Sequence, residues 1–384
     1  MTAPGQTPLE LKGLTLEELE AFARAQGEPA YRGRQLARWL YQGGVAAFAE
    51  MTDLPAALRR RLAERARVLT LHPATAVSAD DGDTVKYLVP LDDGGSVEAV
   101  FMRYADGRRS VCISTQVGCG MGCTFCATAL AGFGRNLSAA EILDQVLLVQ
   151  RVQRTRLTNV VFMGMGEPLA NYAATVRALR VLNAPWGLGI GMRHLTLSTV
   201  GLAPQIRSLA AERLPLTLAV SLHAPDDELR STLVPVNRRW PIAELLQASG
   251  DYVRQTGRRV SFEYVLLEGV NDSPEQAAAL GRLLTAAAHQ IGERPASAWH
   301  VNLIPWNPVY GVQYRRPGRS RVEAFVSMLE RAGVPATVRL ERGVEIAAAC
   351  GQLQRTHGLQ PISPAAPAAR AGAGELSPKE ARRS

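Results

Sequence analysis

Between residues 111 and 340 the sequence alternates between two periodicities, and this alternation restricts the chain to very few architectures. Short apolar runs that read as strands occur at Val111–Thr115, Asn159–Met163, His194–Thr199, Leu216–Leu222, Val260–Leu267 and Val301–Ile304. Between them lie longer stretches with helical spacing, Ser138–Arg154, Ala173–Leu182, Pro204–Ala211, Ile242–Gln255 and Pro274–His289, and a last helix at Arg321–Ala332 precedes an extra strand at Ala336–Leu340. Six strand–helix repeats imply an α/β fold with a parallel sheet curled into a partial (β/α)6 barrel, whose functional residues gather at the C-terminal ends of the strands.

The flanks read differently. Leu14, Leu16, Leu19 and Phe22, then Leu36, Trp39 and Leu40, recur at helical spacing, so residues 9–67 read as helices. Arg32, Arg34, Arg38 and the Arg59–Arg61 run give this region either a solvated face or an RNA-contacting one. Arg32, Arg38 and Arg135 are candidate phosphate contacts. Tyr87–Val89 and Val97–Phe101 flank an Asp-Asp-Gly-Gly turn and predict a β-hairpin. The chain thus divides into a small helical accessory domain (1–75), a β-hairpin extension (76–110), the barrel core (111–357) and a disordered tail (358–384) rich in Ala, Pro, Gly and Arg.

At 384 residues and 47% hydrophobic, the chain can bury a full core. No run approaches the length of a membrane span, and Met1 to Leu11 lacks the basic start and apolar stretch of a signal peptide. These features predict a cytoplasmic protein whose five cysteines stay reduced and serve a metal or catalysis. A net charge of +8 and a pI near 9.5 favour a polyanionic partner such as nucleic acid.

Three of those cysteines form Cys119-x3-Cys123-x2-Cys126, in a glycine-rich loop just after the first barrel strand. Glycines let the backbone approach inorganic sulfides closely. Structural zinc and electron-transfer clusters normally take four protein ligands, whereas three leave one coordination position open to a substrate. Zinc, or unrelated buried thiols, is the alternative reading.

The spacing resembles the signature of the radical S-adenosylmethionine (SAM) superfamily. The resemblance implies a 4Fe-4S cluster on Cys119, Cys123 and Cys126, with SAM bound through its amino and carboxylate groups at the open iron and split by one electron to a 5′-deoxyadenosyl radical. Phe125 matches the aromatic that packs near the adenine of SAM. Gly164-Met165-Gly166-Glu167-Pro168 resembles the segment that holds the SAM amino group, where a carboxylate suits an ammonium.

QVGCGMGCTFCATALAGFGRNL, FMGMGEPLANY, HLTLSTVG, SLHAPDDELR, VNLIPWNP and AAACGQL narrow the resemblance to the bacterial radical SAM adenine-C2 RNA methyltransferases, from about Leu14 to Leu353. In that scheme a thiolate at the position of Cys350 takes a methyl group from one SAM. A second SAM supplies the radical that activates this methyl for addition to adenine. The thiol at the position of Cys112 then resolves the RNA–protein adduct by forming a disulfide. Glu98 aligns with the proton acceptor, although the stretch between Glu98 and Cys112 is one residue longer than usual, and the alternative is an exposed strand carboxylate. Gly166, Glu167, Ser198, Ser221, Leu222, His223 and Asn307 match SAM contacts. The implied substrates are adenosine 2503 of 23S rRNA and adenosine 37 of some tRNAs. The implied partners are an electron donor such as flavodoxin and no membrane, with the chain a monomer. Two readings compete. One is methylation at carbon 8 of the same rRNA adenine, by a related subfamily sharing all five cysteines. The other is a non-catalytic, zinc-stabilised RNA-binding protein, which leaves GMGEP and Cys350 without a purpose.

Overall fold

A computed structural model describes residues 8–339 and 342–353, so the tail expected at 358–384 lies outside the described residues. Ten strands form one sheet: β1 (Thr75–Ala79), β2 (Thr84–Pro90), β3 (Ser96–Arg103), β4 (Arg109–Cys112), β5 (Asn159–Phe162), β6 (Leu195–Thr199), β7 (Thr217–Ser221), β8 (Val260–Leu266), β9 (Trp299–Pro305) and β10 (Ala336–Val338). Their spatial order follows the chain from one edge to the other, so the sheet does not close on itself. From β4 to β10 every pair is parallel. Parallel strands are joined through helices that cover the sheet, which is why Val160, Phe162, Leu197, Val220, Phe262, Tyr264 and Leu303 are all but sealed from water.

Two of the long helices that cover the sheet begin at capping boxes. Ser138 and Glu141 form a capping box at the start of Ala139–Gln153, and Ser273 and Gln276 do the same for Pro274–Gln290, with Pro274 at its first position. Ile242–Thr256 ends on Gly257, at φ 65.

The hairpin is not an appendage. Strands β1–β3 continue the main sheet antiparallel, with Val100 of β3 opposite Cys112 of β4. The N-terminal region holds helices Leu16–Ala25, Tyr31–Ala37 and Ala56–Arg65, closed by a parallel pairing of Leu9–Glu10 with Ala66–Arg67 that helical periodicity could not reveal. Lys12 ties this region to the core. Its ammonium is fully buried 2.5 Å from Asp144 and also donates to the Leu69 carbonyl. Among the described residues no helix is long and apolar enough to cross a membrane.

Candidate active site

The cysteine loop is clamped at its base. Strands Gln116–Gly118 and Phe133–Asn136 pair antiparallel on either side of it, and the Cys119 N–H donates to the Gly132 carbonyl at 2.9 Å. Gly118, at φ +74, is required here, because a Cβ would lie 1.9 Å from the Gly132 oxygen. Cys119, Cys123 and Cys126 all line one cavity of about 940 Å3, open mouth included, at the C-terminal ends of the parallel strands. Burial pushes all three thiols up, Cys119 to about 12, so thiolates here call for a cationic group to offset their charge. Among the described residues, no three His, Cys, Asp or Glu side chains converge on a point that one metal ion would occupy. Thiols spread around a cavity wall suit a cluster, in which each thiolate ligates a different iron.

The same cavity collects Gly166, Glu167, Ser198, Ser221, His223 and Asn307. Gly166 lies at φ +100, and a Cβ would meet the Gln116 side chain at 2.5 Å. Glu167 is buried and accepts backbone N–H bonds from Leu169 (2.9 Å) and Val200 (2.7 Å). Burial nevertheless outweighs these bonds and raises its carboxyl to about 7. His223 adopts a left-handed φ of 63, a conformation held by Asn271 Nδ2 on its carbonyl at 2.8 Å. Its Nδ1 accepts from the Val265 N–H at 3.0 Å, leaving Nε2 to carry the proton of the neutral ring, and burial lowers its pKa to about 3. Phe125 packs edge-on against His223, ring centroids 4.8 Å apart.

Leu222, matched above to a SAM contact, does not line the cavity. Its side chain is fully buried in the core, and its N–H and carbonyl are taken by the Glu263 carbonyl and by Arg230. It serves as the link between Ser221 and His223. Arg230, itself sealed from solvent, gathers the carbonyls of Val200, Ser221 and Leu222 and fixes two strand ends at once. Beyond its place in SLHAPDDELR, nothing local marks Arg230 for that role.

Cys350 lines this cavity and also a second one of about 570 Å3, open mouth included, whose wall includes Val100, Met102, Tyr104 and Cys112. Cys112 lines only the second. The Cys350 segment is latched to the cluster loop: the Ala127 N–H donates to the Gly351 carbonyl at 2.8 Å, and Asn307 Nδ2 donates to the Cys350 carbonyl at 3.2 Å. Trp306 Nε1 donates to the Phe125 carbonyl at 3.2 Å. Glu98 lines neither cavity. It is buried rather than exposed, paired with Lys86 at 3.0 Å, so the reading as an exposed strand carboxylate is corrected. Two residues that sequence reasoning missed, Glu263 and Arg339, also line the first cavity. The candidate phosphate contacts are all in ion pairs within the chain: Arg32 with Glu28, Arg38 with Asp53, and Arg135 with Asp93 and Glu141.

Residues 113–280 match the Radical SAM superfamily, and residues 9–68 match the ribosomal RNA large subunit methyltransferase N-terminal domain. The chain is 51% identical to a protein of Symbiobacterium thermophilum named as dual-specificity RNA methyltransferase RlmN, covering 92% of this chain and 94% of that one. A Roseiflexus protein of the same name is 49% identical, covering 91% and 97%. The crystal structure of a radical SAM methyltransferase from Sphaerobacter thermophilus superposes with a TM-score of 0.84 at 49% identity, covering 90% of this chain and 99% of that one. With half the sequence shared over nine-tenths of each chain and both family domains matched in order, the chain belongs to the RlmN family of radical SAM methyltransferases.

Proposed function

We propose that this protein methylates carbon 2 of an adenine in RNA, in 23S rRNA and in tRNA, by way of a methyl group carried on Cys350. The observation that supports this reading most directly is the place of Cys350 in a wall common to two cavities. The first holds the three clustered thiols and the groups suited to SAM. The second is mostly apolar and is rimmed by Arg339 and Arg342. A thiol in that wall can be loaded from one side and can deliver to the other.

Cys119, Cys123 and Cys126 would hold a 4Fe-4S cluster, which supplies the electron that lets SAM abstract hydrogen where polar chemistry cannot reach. The chain's own groups do the rest. Glu167 accepts from the ammonium of SAM, and the Nε2–H of His223 donates into the same cavity. Cys112, in the second cavity alone, attacks Cys350 sulfur once the base is attached and frees the RNA. Glu98, which lines neither cavity and is held by Lys86 at 3.0 Å, is the carboxylate that the family pattern offers for the carbon 2 proton. On this reading the protein works in the cytoplasm as a monomer, fed by an electron donor such as flavodoxin.

The test is anaerobic incubation of the iron-loaded protein with SAM, a reductant and either rRNA or tRNA, followed by nucleoside mass spectrometry. The expected product is 2-methyladenosine from both RNAs. Only 8-methyladenosine, or no methylated adenosine from a protein with full iron content, overturns the assignment.

A further inference from the structure

Among the described residues the side chains common to both cavities are Met163, Ile304, Asn307, Arg339 and Cys350, and of these only Arg339 carries a permanent charge. Arg339 follows β10 directly, and its N–H donates to the Leu303 carbonyl at 2.9 Å. Its guanidinium lies 3.5 Å from the Met163 sulfur and 3.7 Å from a Glu263 oxygen, too far from the latter for a hydrogen bond. The other Glu263 oxygen accepts from Asn302 Nδ2 at 2.9 Å, and Thr337 donates to Asn302 Oδ1 at 2.9 Å. Glu263, Asn302 and Thr337 stand level across β8, β9 and β10, so this polar ladder fixes the carboxylate that faces Arg339. The guanidinium is 29% exposed, and at 3.7 Å its pairing with Glu263 is loose. Two thiols, those of Cys112 and Cys350, share its cavity.

We propose that Arg339 is a positioning residue for Cys112: its cation, set in the wall between the two cavities, stabilises the Cys112 thiolate that must attack Cys350. This inference rests on the two-thiol reading given under Proposed function. In the attack, a Cys112–Cys350 S–S bond forms and the bond from Cys350 sulfur to the methylene on adenine breaks. The electron pair of the broken bond passes to the methylene carbon, which takes a proton and becomes methyl, while carbon 2 gives up its hydrogen as a proton. The two sulfurs are thereby oxidised and the methylene carbon is reduced; the one electron that the radical adduct carries beyond this would return to the cluster that supplied it as carbon 2 loses its proton, so no further oxidant is needed.

A thiol attacks only as thiolate, and the surroundings of Cys112 oppose that form. Burial pushes its thiol to about 12, the Cys350 thiol adds to the rise, and Arg339 is the cation that counters it. The other titratable or charged groups nearby are Tyr104 and Arg342 in the same cavity, and the Lys86–Glu98 pair on the adjoining strands. Arg342 is drawn away from the thiol, because it stacks on Tyr104 at 4.7 Å and donates to the Arg103 carbonyl.

The experiment uses the iron-loaded full chain, in which the cluster thiols are ligated. It is alkylated anaerobically with iodoacetamide across a pH series, and Cys112 is read by peptide mass spectrometry. In Arg339→Met the midpoint for Cys112 should move up, with alkylation at neutral pH slowed about tenfold, one pKa unit's worth. Arg339→Lys should stay near the parent profile. With SAM, reductant and RNA, Arg339→Met should accumulate the covalent protein–RNA adduct at unchanged iron content. An unchanged Cys112 profile in Arg339→Met overturns the proposal, as does a Lys variant that keeps its iron yet titrates like Met. Should Arg339→Met fail to fold, Glu263→Gln decides: freeing Arg339 from its carboxylate should lower the Cys112 midpoint, and no shift there refutes the role. A Cys112→Ala protein that releases RNA normally would defeat the two-thiol reading instead, leaving the alkylation result for Arg339 intact.

Discussion

Lys86 and Glu98 form an ion pair at 3.0 Å between adjacent strands of the hairpin, and each side chain is only 4% exposed. The same ammonium donates to the Ala347 carbonyl at 3.1 Å, which links the hairpin to the segment carrying Cys350. Removing one partner of a buried pair takes away the nearest opposite charge of the other, at a cost of up to about 3–5 kcal/mol. Lys86→Met should therefore lower the unfolding free energy by about that amount in a denaturant titration. Lys86→Met combined with Glu98→Leu should recover much of the loss. A single variant within about 1 kcal/mol of the parent would contradict the pairing.

The five thiols should separate into two classes. Cys123→Ser should lose most of its iron and its visible absorbance, because the loop then offers only two thiolates. Cys350→Ala should keep its iron and lose methylation entirely. Cys112→Ala should also keep its iron, but should leave protein and RNA covalently joined, visible as a band of raised mass on a denaturing gel. Normal methylation by Cys350→Ala would rule out the carrier role.

Much of this was legible because period and spacing are local properties. The parallel strands and their helices follow from apolar runs and caps; the cluster thiols and GMGEP follow from short motifs. What escaped depends on contacts distant in sequence. Leu222 sits inside a matched motif, yet strand alternation turns it into the core between two cavity residues. Glu263 lies mid-strand in an apolar run, and Arg339 is one arginine among many; only the sheet brings them together at the cavity wall. The hairpin was readable, but its fusion to β4 is a register between residues that no local pattern encodes. Arg32, Arg38 and Arg135 looked available because a sequence does not show the carboxylates that meet them.

Glu167 predicts a pH dependence whose sign is fixed by burial. Its carboxyl is raised from 4.5 to about 7, so between those values the folded chain holds a proton that the unfolded chain has released. Raising the pH through this window lowers the stability contributed by Glu167. A bound ammonium reverses the preference by favouring the carboxylate. SAM affinity of the iron-loaded protein should thus rise by up to about tenfold per unit as pH approaches 7, then level off. Glu167→Gln should bind weakly with a flat profile. Isothermal titration at several pH values tests this, and an equally steep profile in the Gln variant would exclude Glu167 as its source.

The glycine at the base of the cysteine loop separates backbone strain from steric exclusion. Gly118 and Gly107 both have positive φ, +74 and +85, so alanine at either position carries a conformational cost of about 1 kcal/mol. At Gly107, in an exposed turn, nothing lies within 4 Å of the added Cβ. At Gly118 the Cβ would lie 1.9 Å from the Gly132 oxygen, which also accepts from the Cys119 N–H. Relief of that clash must part the two short strands clamping the loop and displace Cys119 from the cavity wall. Gly118→Ala should therefore purify with well under half the iron of the parent, whereas Gly107→Ala should lose a little stability and keep its iron. Colorimetric iron assay alongside thermal unfolding distinguishes the two, and full iron content in Gly118→Ala would show that the clamp is not what holds the three thiols in place.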